Sequence, residues 1–184
     1  LQTELKTRDA DSGGELTIEG YFAVFNRQTE LWPGAFEEIL PGAFANSIKN
    51  NDIRALINHD STLVLGRTKN STLELREDSY GLWGRIRINP NDTDAVNLYE
   101  RVRRGDADQC SFGFNIPPGG ETTDYRDDGT VKWTVRETDT KEISVVTFPA
   151  YEDTGVQARK AEVAQHRERQ LQQRKQNLKA RLKS

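Results

Sequence analysis

Apolar residues along this chain come mostly in short runs broken by turn-forming residues, the pattern of many short strands with occasional helices. The runs predict strands at Glu15 to Phe25, Ile53 to Asn58, Ser71 to Arg76, Tyr80 to Ile88, Cys110 to Ile116, Val131 to Arg136 and Glu142 to Phe148. Two segments carry the helical period instead. Pro41 to Lys49 opens on Pro-Gly and runs into Ala-Phe-Ala-Asn-Ser-Ile. Thr93 to Arg104 places Ala95, Val96, Leu98, Tyr99 and Val102 after Thr93 or Asp94 as cap, with Gly105 as the stop. Seven strands and two outer helices predict a mainly β domain, a barrel or a sandwich. The stretch from Pro117-Pro118-Gly119-Gly120 through the acidic run Asp124 to Asp128 and Gly129 reads as a polar, mobile connection between two strands.

Charge divides the chain in a way that its net value of −3 conceals. Residues 159–184 hold nine Lys or Arg against Glu162 and Glu168, a charge of +7, so the remainder carries −10. That segment is rich in glutamine and has neither glycine nor proline, which predicts a basic helical or disordered tail, 159–184, behind a globular domain, 1–158. Ala161, Ala164, Glu168, Leu171, Lys175, Leu178 and Leu182 alternate at spacings of three and four and form a weak helical stripe suited to a partner helix. Nucleic acid is the less favoured partner, because the tail has no aromatic residue for stacking and the acidic body repels phosphate.

At 184 residues the chain has room for one real core plus a tail. Its uncharged stretches are far shorter than a membrane-spanning helix, and the N-terminus lacks a signal-peptide layout, so a soluble intracellular protein is expected. The absence of methionine and the start at Leu1 suggest that the natural start lies upstream. One cysteine and two histidines predict no disulfide, no structural metal and no cofactor.

The candidate chemistry is sparse. His59, the only histidine of the body, stands at the end of the strand Ile53 to Asn58, from where it can face a groove; taken alone, such a histidine is more often an ordinary polar residue. In Cys110-Ser-Phe-Gly-Phe-Asn-Ile116, alternation puts Cys110, Phe112, Phe114 and Ile116 on the core side and Ser111, Gly113 and Asn115 on the other. Ser111 thus reads either as a nucleophile beside a glycine that admits a peptide backbone or as a small polar residue facing solvent. A serine needs a base, and an imidazole base needs a third group to fix its tautomer. Glu142, sharing a strand face with Ser144, is a carboxylate on an otherwise buried strand, a costly placement unless its charge is paired. It is the favoured third member, with Asp139 as the fallback; Cys110, the rival nucleophile, is turned inward.

The ordered set Pro41-Gly-Ala-Phe44, Asn58-His-Asp60, Leu65-Gly-Arg67, Gly81-Leu82, Ser111-Phe-Gly-Phe114, Glu142-Ile-Ser-Val145 and Pro149-Ala-Tyr151 resembles the prohead maturation protease family of tailed bacteriophages, from about Gly20 to Val156. The resemblance implies a serine endopeptidase with the fold of herpesvirus assemblin, a closed β-barrel of about seven strands ringed by helices. It implies Ser111 as nucleophile, His59 as base and Glu142 as third member. It further implies cleavage of scaffolding and coat-protein extensions, and of the enzyme itself, inside the procapsid in the host cell cytoplasm. The expected partners are therefore the major capsid protein with its scaffolding region and further copies of the chain, with no membrane involved. A non-catalytic assembly factor with the same barrel and a coat-binding tail is the alternative.

Overall fold

The strands of the computed structural model, which describes residues 5–8, 15–148 and 153–181, sort into three four-stranded sheets. The first has the order β1 (Lys6–Arg8), β2 (Thr17–Val24), β8 (Gly81–Arg87), β7 (Leu73–Glu77), antiparallel throughout. The second runs β10 (Glu121–Tyr125), β11 (Val131–Val135), β4 (Ala35–Ile39), β3 (Thr29–Trp32), with β11 and β4 parallel. The third carries the candidate chemistry: β6 (Asp60–Arg67), β5 (Arg54–Ile57), β12 (Asp139–Val146), β9 (Gln109–Asn115), with β5 and β12 parallel.

These open sheets replace the expected closed barrel of about seven strands. Closure demands an unbroken hydrogen-bonded ladder around the ring. Here β9 runs near β2, and β6 near β7 and β8, but neither approach is a ladder among the described residues. The strand expected at Val131 to Arg136 as one of the staves, observed as β11, is drawn instead into a separate sheet between β10 and β4. Those two neighbours, with β3, β6 and β1, are strands that the apolar pattern did not indicate. The supposed mobile connection is in part a hairpin: β10 pairs with β11 over a turn in which Asp128 accepts from the Thr130 N–H at 2.8 Å and its hydroxyl at 2.7 Å.

Apolar faces of the first and third sheets meet in one core. Ile18 and Phe22 of β2, Leu82 and Ile86 of β8, Ile57 of β5, and Ile143 and Val145 of β12 belong to a single buried cluster. Helix α2 (Thr93–Arg104) closes over this core with Ala95, Leu98, Tyr99 and Val102, an i, i+3, i+4, i+7 stripe. Its cap is Asp92, one or two residues before the expected Thr93 or Asp94, accepting from the N–H groups of Asp94 and Ala95; Gly105, at φ 82, ends the helix as expected.

Helix α1 (Ala45–Asn50) is shorter than the expected Pro41 to Lys49, because residues 41–44 form turns. It is tied to the start of β12 by buried hydroxyls. Ser47 donates to the Thr138 carbonyl and accepts from the Thr140 N–H at 2.9 Å, while Thr138 Oγ1 donates to the Ala43 carbonyl at 3.0 Å. The N–H of Phe44 donates to Glu77 Oε1 at 2.8 Å; burial nonetheless holds the Glu77 carboxyl above its ordinary pKa.

Residues 150–184 form a second unit, containing α3 (Asp153–Arg181). Twenty-nine residues of mostly strong helix formers account for its length. Of the anticipated stripe, Leu171 and Leu178 are 53% and 64% exposed, and Leu182 lies outside the described residues, as does Pro149-Ala-Tyr151. Among the described residues no helix is long and apolar enough to cross a membrane.

An ion pair anchors the entry to the third sheet. Arg67 donates to Asp52 through Nε at 3.1 Å and through a terminal nitrogen, and these bonds lower the Asp52 pKa from 3.8 to about 2. A carboxyl depressed on folding contributes stability above its unfolded pKa and loses it as pH falls through the folded one. Urea unfolding of the native chain and of Asp52→Asn is therefore expected to differ in midpoint near pH 6 and to converge as pH falls from about 4 toward about 2. A difference that does not vary with pH would contradict the pairing.

Candidate active site

Strands β5 and β6 are joined by the two-residue turn Asn58-His59, with Ile57 and Asp60 as the closing pair. Both turn residues have positive φ, 48° and 61°, as a tight hairpin of this length requires. Asparagine tolerates that conformation, whereas histidine adopts it less readily, so the turn needs outside support. β12 supplies it: the Asn58 N–H donates to the Val145 carbonyl at 3.0 Å, Asn58 Oδ1 accepts from the Thr147 N–H at 2.9 Å, and the His59 N–H donates to Ser144 Oγ at 3.2 Å. The turn thereby delivers an imidazole to the face of β12.

Glu142 meets it there. His59 Nδ1 and Glu142 Oε1 are 2.7 Å apart, with the two side chains only 15% and 13% exposed. An ionised carboxylate can only accept, so Nδ1 carries the proton and the lone pair of the neutral ring resides on Nε2. This is the tautomer that a general base requires.

Simple alternation along β12 would place Thr140, Glu142 and Ser144 on one face. The structure departs from that at a bulge: the register on β9 steps from Thr140–Phe114 to Glu142–Gly113, leaving Lys141 as one residue too many. Thr140 is consequently buried with Ser47 and Thr138, while Glu142 faces the side that carries His59. Ser111 is half-buried on that same side of β9, directly across from Ser144. Cys110, 2% exposed, is turned into the core.

Of the residues singled out from the sequence, His59 and Glu142 are in contact, and strand register brings Ser111 to their face. Asp139 is elsewhere: it accepts from Asn51 at 2.8 Å and pairs with Lys141 at 2.7 Å, which lower its pKa, the Lys141 bond foremost. Asp60 is occupied by Thr62 within its own turn, chiefly the hydroxyl, and its pKa is lowered too. Among the described residues no cluster of His, Cys, Asp and Glu could hold a metal ion.

A protein-family model described as caudovirus prohead serine protease matches residues 3–169. The chain belongs to this family. It is also 32% identical, over 168 residues, to the prohead protease of Enterobacteria phage HK97, an alignment covering 87% of this chain and 66% of the phage protein. The chain thus spans just under two thirds of that relative's length. No solved structure matches it.

Two features of this prohead-protease family member were not evident from sequence. Ser144 was visible only as the neighbour of Glu142 on its face, and Gly113 only as a gap that a peptide backbone could approach. In the structure that gap is filled from within, because Glu142 lies across Gly113: a methyl there would collide with Glu142 Oε1 and fall 3.1 Å from Cγ and Cδ. Gly113→Ala is therefore expected to fold but to displace the carboxylate. The check is proton NMR, in which a low-field Nδ1 proton of His59 present in the native chain should disappear from the variant. An unchanged resonance would show that the carboxylate tolerates the methyl.

Proposed function

We propose that this chain is a serine endopeptidase of procapsid maturation, with Ser111 as nucleophile, His59 as general base and Glu142 as the group that orients it. The observation that carries the reading is the 2.7 Å contact between His59 Nδ1 and Glu142, made on the face that also bears Ser111. His59 Nε2 takes the hydroxyl proton as Ser111 Oγ attacks the scissile carbonyl, and returns it to the amine that leaves; water then releases the acyl group by the same route. Glu142 keeps Nδ1 protonated and stabilises the imidazolium formed on the way. Membership of a prohead protease family supports, as substrates, coat protein with its scaffolding extensions and the chain itself, inside the procapsid within the host cell. No cofactor enters this scheme.

The test is co-expression with the cognate coat protein, reading new termini by mass spectrometry. Ser111→Ala and His59→Ala are each expected to abolish them, and the double variant to lose little beyond either, because the two act as a unit. Cleavage persisting in folded Ser111→Ala would refute the nucleophile. Glu142→Gln is expected to slow turnover by roughly 10- to 10^4-fold without unfolding the chain, since an amide no longer enforces the productive tautomer. An equal loss in Asp139→Asn with none in Glu142→Gln would move the third role to Asp139.

The base must be neutral to accept a proton, so kcat/KM for a peptide is expected to rise with pH through roughly 6 to 7.5, the ordinary imidazole range. A flat profile there would argue against His59.

The basic segment 159–184 is assigned to docking on an acidic or helical region of the capsid-scaffold partner, supported by its charge and by exposed Leu171 and Leu178 on α3. Deleting residues 160–184 is expected to leave hydrolysis of a short peptide near the native rate while reducing incorporation into procapsids, measured by quantitative proteomics of purified particles. Normal packaging of the truncated chain would exclude the docking role.

A further inference from the structure

Ser144 is fully buried, yet its hydroxyl is committed to polar partners on two different elements. Oγ donates to Glu142 Oε2 at 2.6 Å and accepts from the backbone N–H of His59 at 3.2 Å. One hydroxyl proton and one lone pair thus serve two bonds of opposite sense, within the capacity of a serine. The consequences differ from those of an ordinary buried hydrogen bond. Fixing Oε2 removes the rotational freedom of the carboxylate and leaves Oε1 aimed at Nδ1. Accepting from the His59 N–H holds the backbone of a histidine that sits at φ 61. The same residue is the cross-strand neighbour of Ser111.

We propose that Ser144 is a positioning residue for the reaction: through this one hydroxyl it sets the carboxylate and the imidazole backbone relative to each other and to Ser111. Its hydroxyl bonds to Glu142 and to the His59 backbone, and its effect passes through them. The proposal rests on the roles given to Ser111, His59 and Glu142 above.

Its test uses the full chain and a fluorophosphonate probe, which needs no cleavage-site sequence. Ser111 Oγ attacks phosphorus, fluoride leaves, and His59 takes the hydroxyl proton; the rate of adduct formation is read by intact-mass spectrometry. Ser144→Ala is expected to slow labelling roughly 10- to 100-fold, the scale of a misplaced catalytic group, while circular dichroism shows a folded chain. A merely structural serine would add its effect to that of any other variant. Here Ser144→Ala combined with Glu142→Gln is expected to label no more slowly than Glu142→Gln alone.

Labelling of Ser144→Ala at the native rate, or independent losses that multiply in the double variant, would overturn the proposal. If alanine prevents folding, Ser144→Cys preserves the bulk with a much weaker donor and is expected to show the same coupling; native-rate labelling in it would equally overturn the role. Ser111→Ala and His59→Ala serve as controls. Label persisting in them defeats the catalytic reading and this proposal together, whereas silent controls with a fast Ser144→Ala defeat the proposal alone.

Discussion

A carboxylate laid against the face of a largely buried strand costs free energy unless its charge is met, and the candidate site is organised around meeting that cost for Glu142. The side chain is 13% exposed and receives His59 on one oxygen and Ser144 on the other. Room for it exists because Gly113 has no side chain, and its direction is set by the extra residue Lys141, which shifts β12 against β9. The two ends of the bulge thus have different uses. Before it, Thr140 faces inward and ties β12 to α1 through Ser47; after it, Glu142 and Ser144 face the site.

The tight turn Asn58-His59 depends on the same strand. A histidine at positive φ is held by bonds from both turn residues to β12, so the conformation of the turn and the position of the carboxylate are one arrangement. The parallel pairing of β5 with β12 is what makes this reachable: Val145 stands beside Ile57, and the chain turns immediately beyond. Core packing of Ile57, Ile143 and Val145 on the far side of the sheet fixes that register against slippage, since a one-residue slip would exchange the buried face for the polar one.

Much of this was legible from the chain because it depends on period. Alternation identified β9 and separated inward Cys110 from Ser111, and the i, i+3, i+4 pattern with a terminal glycine located α2. Glu142 stood out as a charge on an apolar strand. Strands β3, β6 and β10 escaped because TELW, DSTLVLGR and ETTDY carry too many polar residues to show a buried face, although each pairs with its sequence neighbour across a short turn. The barrel expectation failed with them, since β10 and β4 recruit β11 into a sheet of its own. The bulge at Lys141 leaves no compositional trace, and the packing of Glu142 over Gly113 and the two bonds of Ser144 emerged only from the structure.

Membership of the caudovirus prohead serine protease family and the His59–Glu142 geometry support one account, in which a paired imidazole activates Ser111. The measurement that tests it most directly is identification, by fragment mass spectrometry, of the residue modified when the folded chain is treated with a fluorophosphonate. The account predicts a single adduct on Ser111, absent when His59 is replaced by alanine. An adduct on any other residue, or one on Ser111 that forms equally well without His59, would contradict it.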